Sequence, residues 1–145
     1  MNIKQLKPRK QSRYSQGYLD PRSCKKYIDP GHPIIYRSSY EKKFIVWCEN
    51  SKQVVRWGSE VVQIPYKIGD KPHTYNPDFY VEMDNGEKWL VEIKPKNQTI
   101  KPANENSWLM NEWVKNNYKW RAAMAFCNAR GLKFKIFTEQ TIGRL

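Results

Sequence analysis

Apolar residues recur at helical spacing early in the chain. Tyr40, Phe44, Trp47 and Cys48 make one stripe that can face a sheet. Ser38 or Ser39 can cap this helix, and Glu41 falls in its first turn, where the macrodipole favours a carboxylate. The period then shortens. Val54-Val55-Arg56-Trp57 and Glu60-Val61-Val62-Gln63-Ile64-Pro65, broken by Gly58-Ser59, predict one bent strand or two short ones. From Tyr66 to Tyr75, Gly69-Asp70 and Pro72 predict a loop. Asp78-Phe79-Tyr80-Val81 and Leu90-Val91-Glu92-Ile93 flank Asp84-Asn85-Gly86-Glu87, whose Asn-Gly signals a hairpin turn. Pro95 ends the second run, because proline cannot continue a central ladder.

Beyond a polar stretch, a second helix is predicted from near Glu112 to Ala129, with Trp113, Trp120, Ala123, Met124 and Cys127 as its apolar stripe. Gly131 stands where a helix stop belongs, and Phe134, Ile136 and Phe137 mark a last strand beside the sheet. The order is helix, strands, helix, strand: a mixed α/β domain with its sheet between helices. Residues 1–31 differ. Four prolines between Pro8 and Pro33, with Gly17 and Gly31, rule out long regular elements there. We read 1–31 as an extended basic arm, partly ordered at best, and 32–145 as the folded domain.

Composition narrows the function. A chain of 145 residues supports one core. The net charge of +12 calls for an acidic partner, and nucleic acid fits best. Eight basic residues against Asp20 and Asp29 put half of that excess in the arm. Lys7, Arg9, Lys10 and Arg13 can track phosphates there, with Tyr14, Tyr18 and Tyr27 interleaved for stacking; the plainer role is a solubilising tail. No apolar run suits a membrane span, and Met1 to Gln5 lacks the apolar core of a signal peptide. Cys24, Cys48 and Cys127 contain no C-x-x-C pair, which argues against a disulfide framework or structural zinc and for a reducing cytoplasm.

The most specific chemistry is Asp78 followed fourteen positions later by Glu92-Ile93-Lys94. Residues two apart in a strand share a face, so Glu92 and Lys94 project together, about 6–7 Å apart at Cα. Ile93 turns to the other side, as a core residue should. Folding the hairpin brings Asp78 to the same end of the sheet. Two carboxylates can hold a hard divalent cation, and a nearby lysine can orient or deprotonate a water. A Glu-x-Lys pair on a strand is usually a solvated ion pair. The apolar Leu90, Val91 and Ile93 place this one in a buried strand, where unpaired charge is not normally tolerated.

Glu41 on a helix, then strands, Pro77-Asp78, Glu92-x-Lys94, helix and strand resembles the PD-(D/E)XK nuclease core. Longer runs are similar to the head-completion nucleases of T4-like phages: Ile35 to Phe44, Trp57-Gly58-Ser59-Glu60, Ile64-Pro65-Tyr66, Tyr75 to Tyr80, Leu90 to Pro95, Lys119 to Ala123, Phe137-Thr138-Glu139 and Gln16-Gly17-Tyr18. The TnsA-type transposon endonucleases share a similar core. The resemblance implies a restriction-endonuclease-like mixed sheet flanked by helices. It also implies a Mg²⁺-dependent endonuclease, with Mn²⁺ able to substitute, that acts on phage DNA when packaging ends and the head is finished. Asp78 and Glu92 would be metal ligands, Lys94 would position the attacking water, and Glu41 would support a second metal or its water shell. Capsid, portal or neck proteins and a second copy of the chain are the implied partners. The host cytoplasm during assembly, or the virion itself, is the implied location.

Other residues carry weaker signals. Lys96, Lys101 and Lys119 can contact phosphates beside the site or lie solvated on the surface. Glu60 can add polarity, and Gln63 can hydrogen-bond near the site. Trp108 and Trp113 can stack on bases, although aromatics at helical spacing are more often core. His32 and His73 lack metal-ligand spacing. Two alternatives stand beside the phage endonuclease. One is a DNA-binding head-assembly protein that uses the fold without catalysis. The other is a TnsA-like transposon subunit that needs a partner transposase.

Overall fold

The computed structural model describes residues 17–104 and 107–145. Lys7, Arg9, Lys10 and Arg13, with Tyr14 and Gln16, lie outside them. In chain order the elements are β1 (Gly17–Leu19), β2 (Ile34–Tyr36), α1 (Ser39–Asn50), β3 (Val54–Ser59), β4 (Ile64–Ile68), β5 (Lys71–Tyr75), β6 (Phe79–Met83), β7 (Lys88–Ile93), α2 (Trp108–Arg130), β8 (Lys133–Phe137) and α3 (Glu139–Ile142).

The central sheet runs β3-β6-β7-β8. β3, β6 and β7 are antiparallel neighbours, whereas β8 lies parallel to β7. A parallel neighbour requires a crossover, and α2 supplies it. The alternating pattern of β6 and β7 divides two cores. Phe79, Val81 and Val91 pack with Phe44, Ile45, Cys48 and Trp57 on the α1 side. Leu90 and the partly buried Tyr80 pack with Trp120, Ala123 and Cys127 on the α2 side, together with Ile64 and Tyr75 of the β4-β5 hairpin. The sheet thus lies between helices, as a restriction-endonuclease-like fold requires.

Local chemistry sets the boundaries. Ser38, not Ser39, caps α1: its hydroxyl accepts from Glu41 N at 3.1 Å. The turn between β6 and β7 closes with Gly86 at φ 88°, which glycine alone adopts without strain. At the end of α2, Gly131 takes the left-handed cap conformation, φ 69°.

Three expectations need correction. The segment Tyr66–Tyr75 is not a loop. It forms most of the β4-β5 hairpin, in which Tyr66 and Tyr75 turn inward and Gly69-Asp70 is only the tip. Pro72 is tolerated because a two-stranded hairpin has edges on both strands. The Val54–Pro65 region takes the second of its two expected forms, two strands, and these lie in different sheets. α2 begins at Trp108, well before Glu112, because Ser107 caps it by accepting from Met110 N. Its inward face takes in Met110 and Asn116, while Met124 points out, 49 % exposed.

The third correction concerns the arm, whose second half belongs to the folded body. Residues 26–28 run parallel to the outer edge of β3: Trp57 N donates to Lys26 O at 3.0 Å, and Ile28 N to Trp57 O at 2.8 Å. Glu49 on α1 anchors the arrangement by accepting from Lys25 N, Lys26 N and the Trp57 indole N–H. Tyr27 is consequently buried against Trp57, ring centroids 4.7 Å apart.

Candidate active site

The hairpin brings Asp78 and Glu92 together. The register pairs Phe79 with Val91, so Asp78 stands opposite Glu92 one step beyond the last bridge. Asp78 follows the fully buried Pro77 and accepts from Ile93 N at 2.7 Å through Oδ2. This bond ties the carboxylate to the strand that carries its partners. Glu92 is buried, 7 % exposed, although charged residues seldom are. The hydroxyl of Tyr75 donates to its Oε2 at 2.7 Å, and Lys94 Nζ lies 3.6 Å from Oε1. Lys94 sits just past β7, held in register by its N–H donating to Phe137 O. The group therefore lies at the carboxyl end of the strand that joins the parallel pair, the usual location of sites in open α/β sheets.

Glu41 approaches from the first turn of α1, where Ser38 Oγ donates to its Oε2 at 3.3 Å. Burial, with Glu60 repelling it, raises the Glu41 carboxyl to about 7. Burial also pushes Asp78 well above the usual carboxylate range, and repulsion from Glu92 and Glu41 adds to this. Three acids thus share a desolvated neighbourhood with too little positive charge, an arrangement more characteristic of function than of packing.

A buried acid with a raised pKa favours the fold below its unfolded pKa, and this support is lost as pH rises through the folded value. For Glu41 the window runs from its ordinary 4.5 to about 7. Glu82, Glu87 and Glu139, held low by their partners, act in the opposite sense but below that window. In EDTA, urea unfolding at pH 8 is expected to show about 1–2 kcal/mol less stability than at pH 5.5, allowing for solvent screening of a half-buried group. Glu41→Gln is expected to flatten much of that slope.

A second lysine lies near Lys94. Lys119, on the inward face of α2, sits over the Tyr75 ring, Nζ 5.8 Å from the centroid. Burial and the nearby Lys94 lower its pKa. Glu60 also borders the site: its N–H donates to Asp78 O, and its carboxylate pairs with Arg37 at 3.4 Å. Glu60 holds a left-handed φ of 52°, costly for a residue with a side chain. Lys96 lies exposed on a 3₁₀ turn after β7, and its N–H donates to Glu139. Gln63 is exposed before β4, and His73 stacks on Tyr66.

Reading by sequence alone missed Tyr75 and Arg37. Tyr75 stands three positions before Asp78, but its bond to Glu92 depends on how the β4-β5 hairpin docks. Arg37 offers no local signal.

Among the described residues, no group of three or more His, Cys, Asp or Glu side chains is gathered at metal-ligating spacing. Asp78 and Glu92 are the two acids that the hairpin register sets side by side, with Glu41 near enough to Asp78 to repel it. A two-carboxylate set suits Mg²⁺, which commonly keeps several waters and takes one or two protein carboxylates. The unbalanced negative charge around Asp78 fits a bound cation as well.

An Asp, a Glu and a Lys at one end of such a sheet define a PD-(D/E)XK-type nuclease core. Residues 51–139 match the family described as TnsA-like endonuclease N terminal. The chain is also 35 % identical over 137 residues to the Head completion nuclease of Enterobacteria phage T4, covering 86 % of this chain and 91 % of that protein. The chain belongs to this nuclease family.

Proposed function

We propose that the protein is a metal-dependent DNA endonuclease that hydrolyses phosphodiester bonds during phage head completion, after DNA packaging. The observation that carries this reading is the juxtaposition of buried Glu92 with half-buried Asp78 and Lys94 at one hairpin end. Asp78 and Glu92 would hold Mg²⁺, or Mn²⁺ in its place, with Glu41 acting on its water shell. Such a cation would polarise the phosphoryl oxygens and offset charge on the leaving oxygen when bound. Lys94 orients the attacking water and stabilises charge that develops beside Glu92. Lys119 neutralises a phosphate next to the site, Lys96 contacts one further out, and the basic arm follows the backbone beyond.

Tyr75 keeps Glu92 in one rotamer by occupying Oε2. Tyr75→Phe is expected to weaken Mn²⁺ binding about 10–100-fold, the usual cost of losing a group that orients a metal ligand. Titration calorimetry on the full chain checks this.

DNA is the proposed substrate, with a capsid, portal or neck protein as the proposed docking partner and a homodimer as the form that would cut both strands. The host cytoplasm during assembly is the proposed location; among the described residues, no helix is long and apolar enough to cross a membrane. Complementation of a phage that lacks its head completion nuclease tests the biological role. Wild type should restore infectious particles and Asp78→Ala should not. Full rescue by Asp78→Ala would favour the non-catalytic assembly reading. The TnsA-like match keeps one other enzyme reading in view, a transposon endonuclease subunit, for which cleavage would require an added transposase.

A further inference from the structure

We infer that a cavity beside the catalytic acids takes an unpaired nucleobase, so that the preferred substrate is DNA with a single-stranded segment next to the cut. This rests on the nuclease reading and names the substrate class for the same site. The cavity, about 310 Å³, lies between the segment after β7 and the first turns of α2. Asn97, Gln98, Lys101, Trp108, Trp113 and Asn116 line it, and the apolar Ile100, Pro102 and Leu109 complete a surface on which a base face can pack.

Two covalent connections fix its place. Asn97 is three residues after Lys94, so the cavity begins within about 10 Å of chain from the catalytic lysine. Asn116 precedes Lys119 by three positions, about 4.5 Å along the α2 axis. One strand of DNA can therefore pass from the acids to the cavity within a nucleotide or two.

The chemistry of the wall favours a base over a phosphate or a peptide. Trp108 is 71 % exposed, the most exposed large hydrophobic side chain among the described residues. An open indole costs solubility and suits stacking, which tolerates any base. Lys101 Nζ lies 5.8 Å from the Trp113 ring centroid, so that ring already sits beside a positive charge. Three carboxamides supply the paired donors and acceptors that match base edges. Glu112 on the same wall repels phosphate and can accept from a base amino group. Lys101, itself on the wall, supplies positive charge for the strand's phosphates. A purely apolar groove would need neither the three carboxamides nor Lys101 and Glu112.

The test is binding of the full chain in EDTA, where no cleavage occurs, to fluorescein-labelled duplexes of equal phosphate count. One is blunt; the other carries a short unpaired tail. Wild type is expected to bind the tailed duplex about tenfold more tightly, and Trp108→Ala to reduce that advantage below about twofold. Trp108→Tyr, which keeps a stacking surface, should retain most of it. A 2-aminopurine in the tail should be quenched by wild type and not by Trp108→Ala. Equal affinity of wild type for both duplexes, or an advantage that survives Trp108→Ala, would overturn the inference and leave the cavity to a protein partner. Tail preference without any metal-dependent cleavage would sink the nuclease reading alone, and cleavage without tail preference would sink the subsite alone.

Discussion

Asp78→Ala and Lys94→Ala are each expected to lower DNA cleavage by at least about 10³-fold while leaving DNA affinity nearly unchanged. Neither side chain is needed to attract the duplex, because the charge that does so lies elsewhere on a chain of net charge +12. Both stand where reacting groups would meet: Asp78 opposite Glu92, and Lys94 at 3.6 Å from it. The alanine variant of Asp78 also strands the Ile93 N–H, so a folding defect could imitate a chemical one. Asp78→Asn separates the two. It keeps an acceptor for Ile93 and removes a charge that Glu92 and Glu41 repel. This variant should be inactive yet more stable than wild type above pH 7 in EDTA. An inactive and destabilised Asp78→Asn would mean that the carboxylate serves packing.

Deleting residues 1–16 is expected to be the second large effect. The segment holds five basic and no acidic residues, and the described fold begins after it. If each cation meets one phosphate, the slope of log affinity against log salt should flatten by about 4. Affinity in 50 mM salt should then fall on the order of 100-fold or more, while the unfolding midpoint stays close to that of the full chain. The anchoring of Lys25 and Lys26 on Glu49 lies outside the deletion and should hold residues 25–28 in place. An unchanged salt slope would reduce the segment to a solubilising tail.

What the sequence made legible follows from local physics. The β6-β7 hairpin was readable because Asn85-Gly86 marks its turn and the alternation of Phe79, Val81 and Val91 fixes its faces. That one hairpin also sets Asp78 against Glu92, so the heart of the site could be read with it. The cap of α1 and the stop of α2 are likewise local. The β4-β5 hairpin was not readable, since Gly69-Asp70 and Pro72 give the same signal in a loop as in a hairpin tip and edge. The docking of Tyr27 on Trp57 and the bond from Tyr75 to Glu92 join residues 30 and 17 positions apart, and nothing local announces them. Nor does any propensity foretell a left-handed Glu60, which its surroundings impose.

The central claim is that the acids and lysine at the end of β6 and β7 cut DNA with a divalent cation. The most direct measurement is conversion of supercoiled plasmid and of single-stranded circles in Mg²⁺, Mn²⁺ or EDTA, with wild type and Lys94→Ala purified side by side. The account predicts nicked or linear products from wild type in Mg²⁺ and Mn²⁺, none in EDTA, and none from Lys94→Ala under any condition. Cleavage that persists in EDTA or in Lys94→Ala would contradict it.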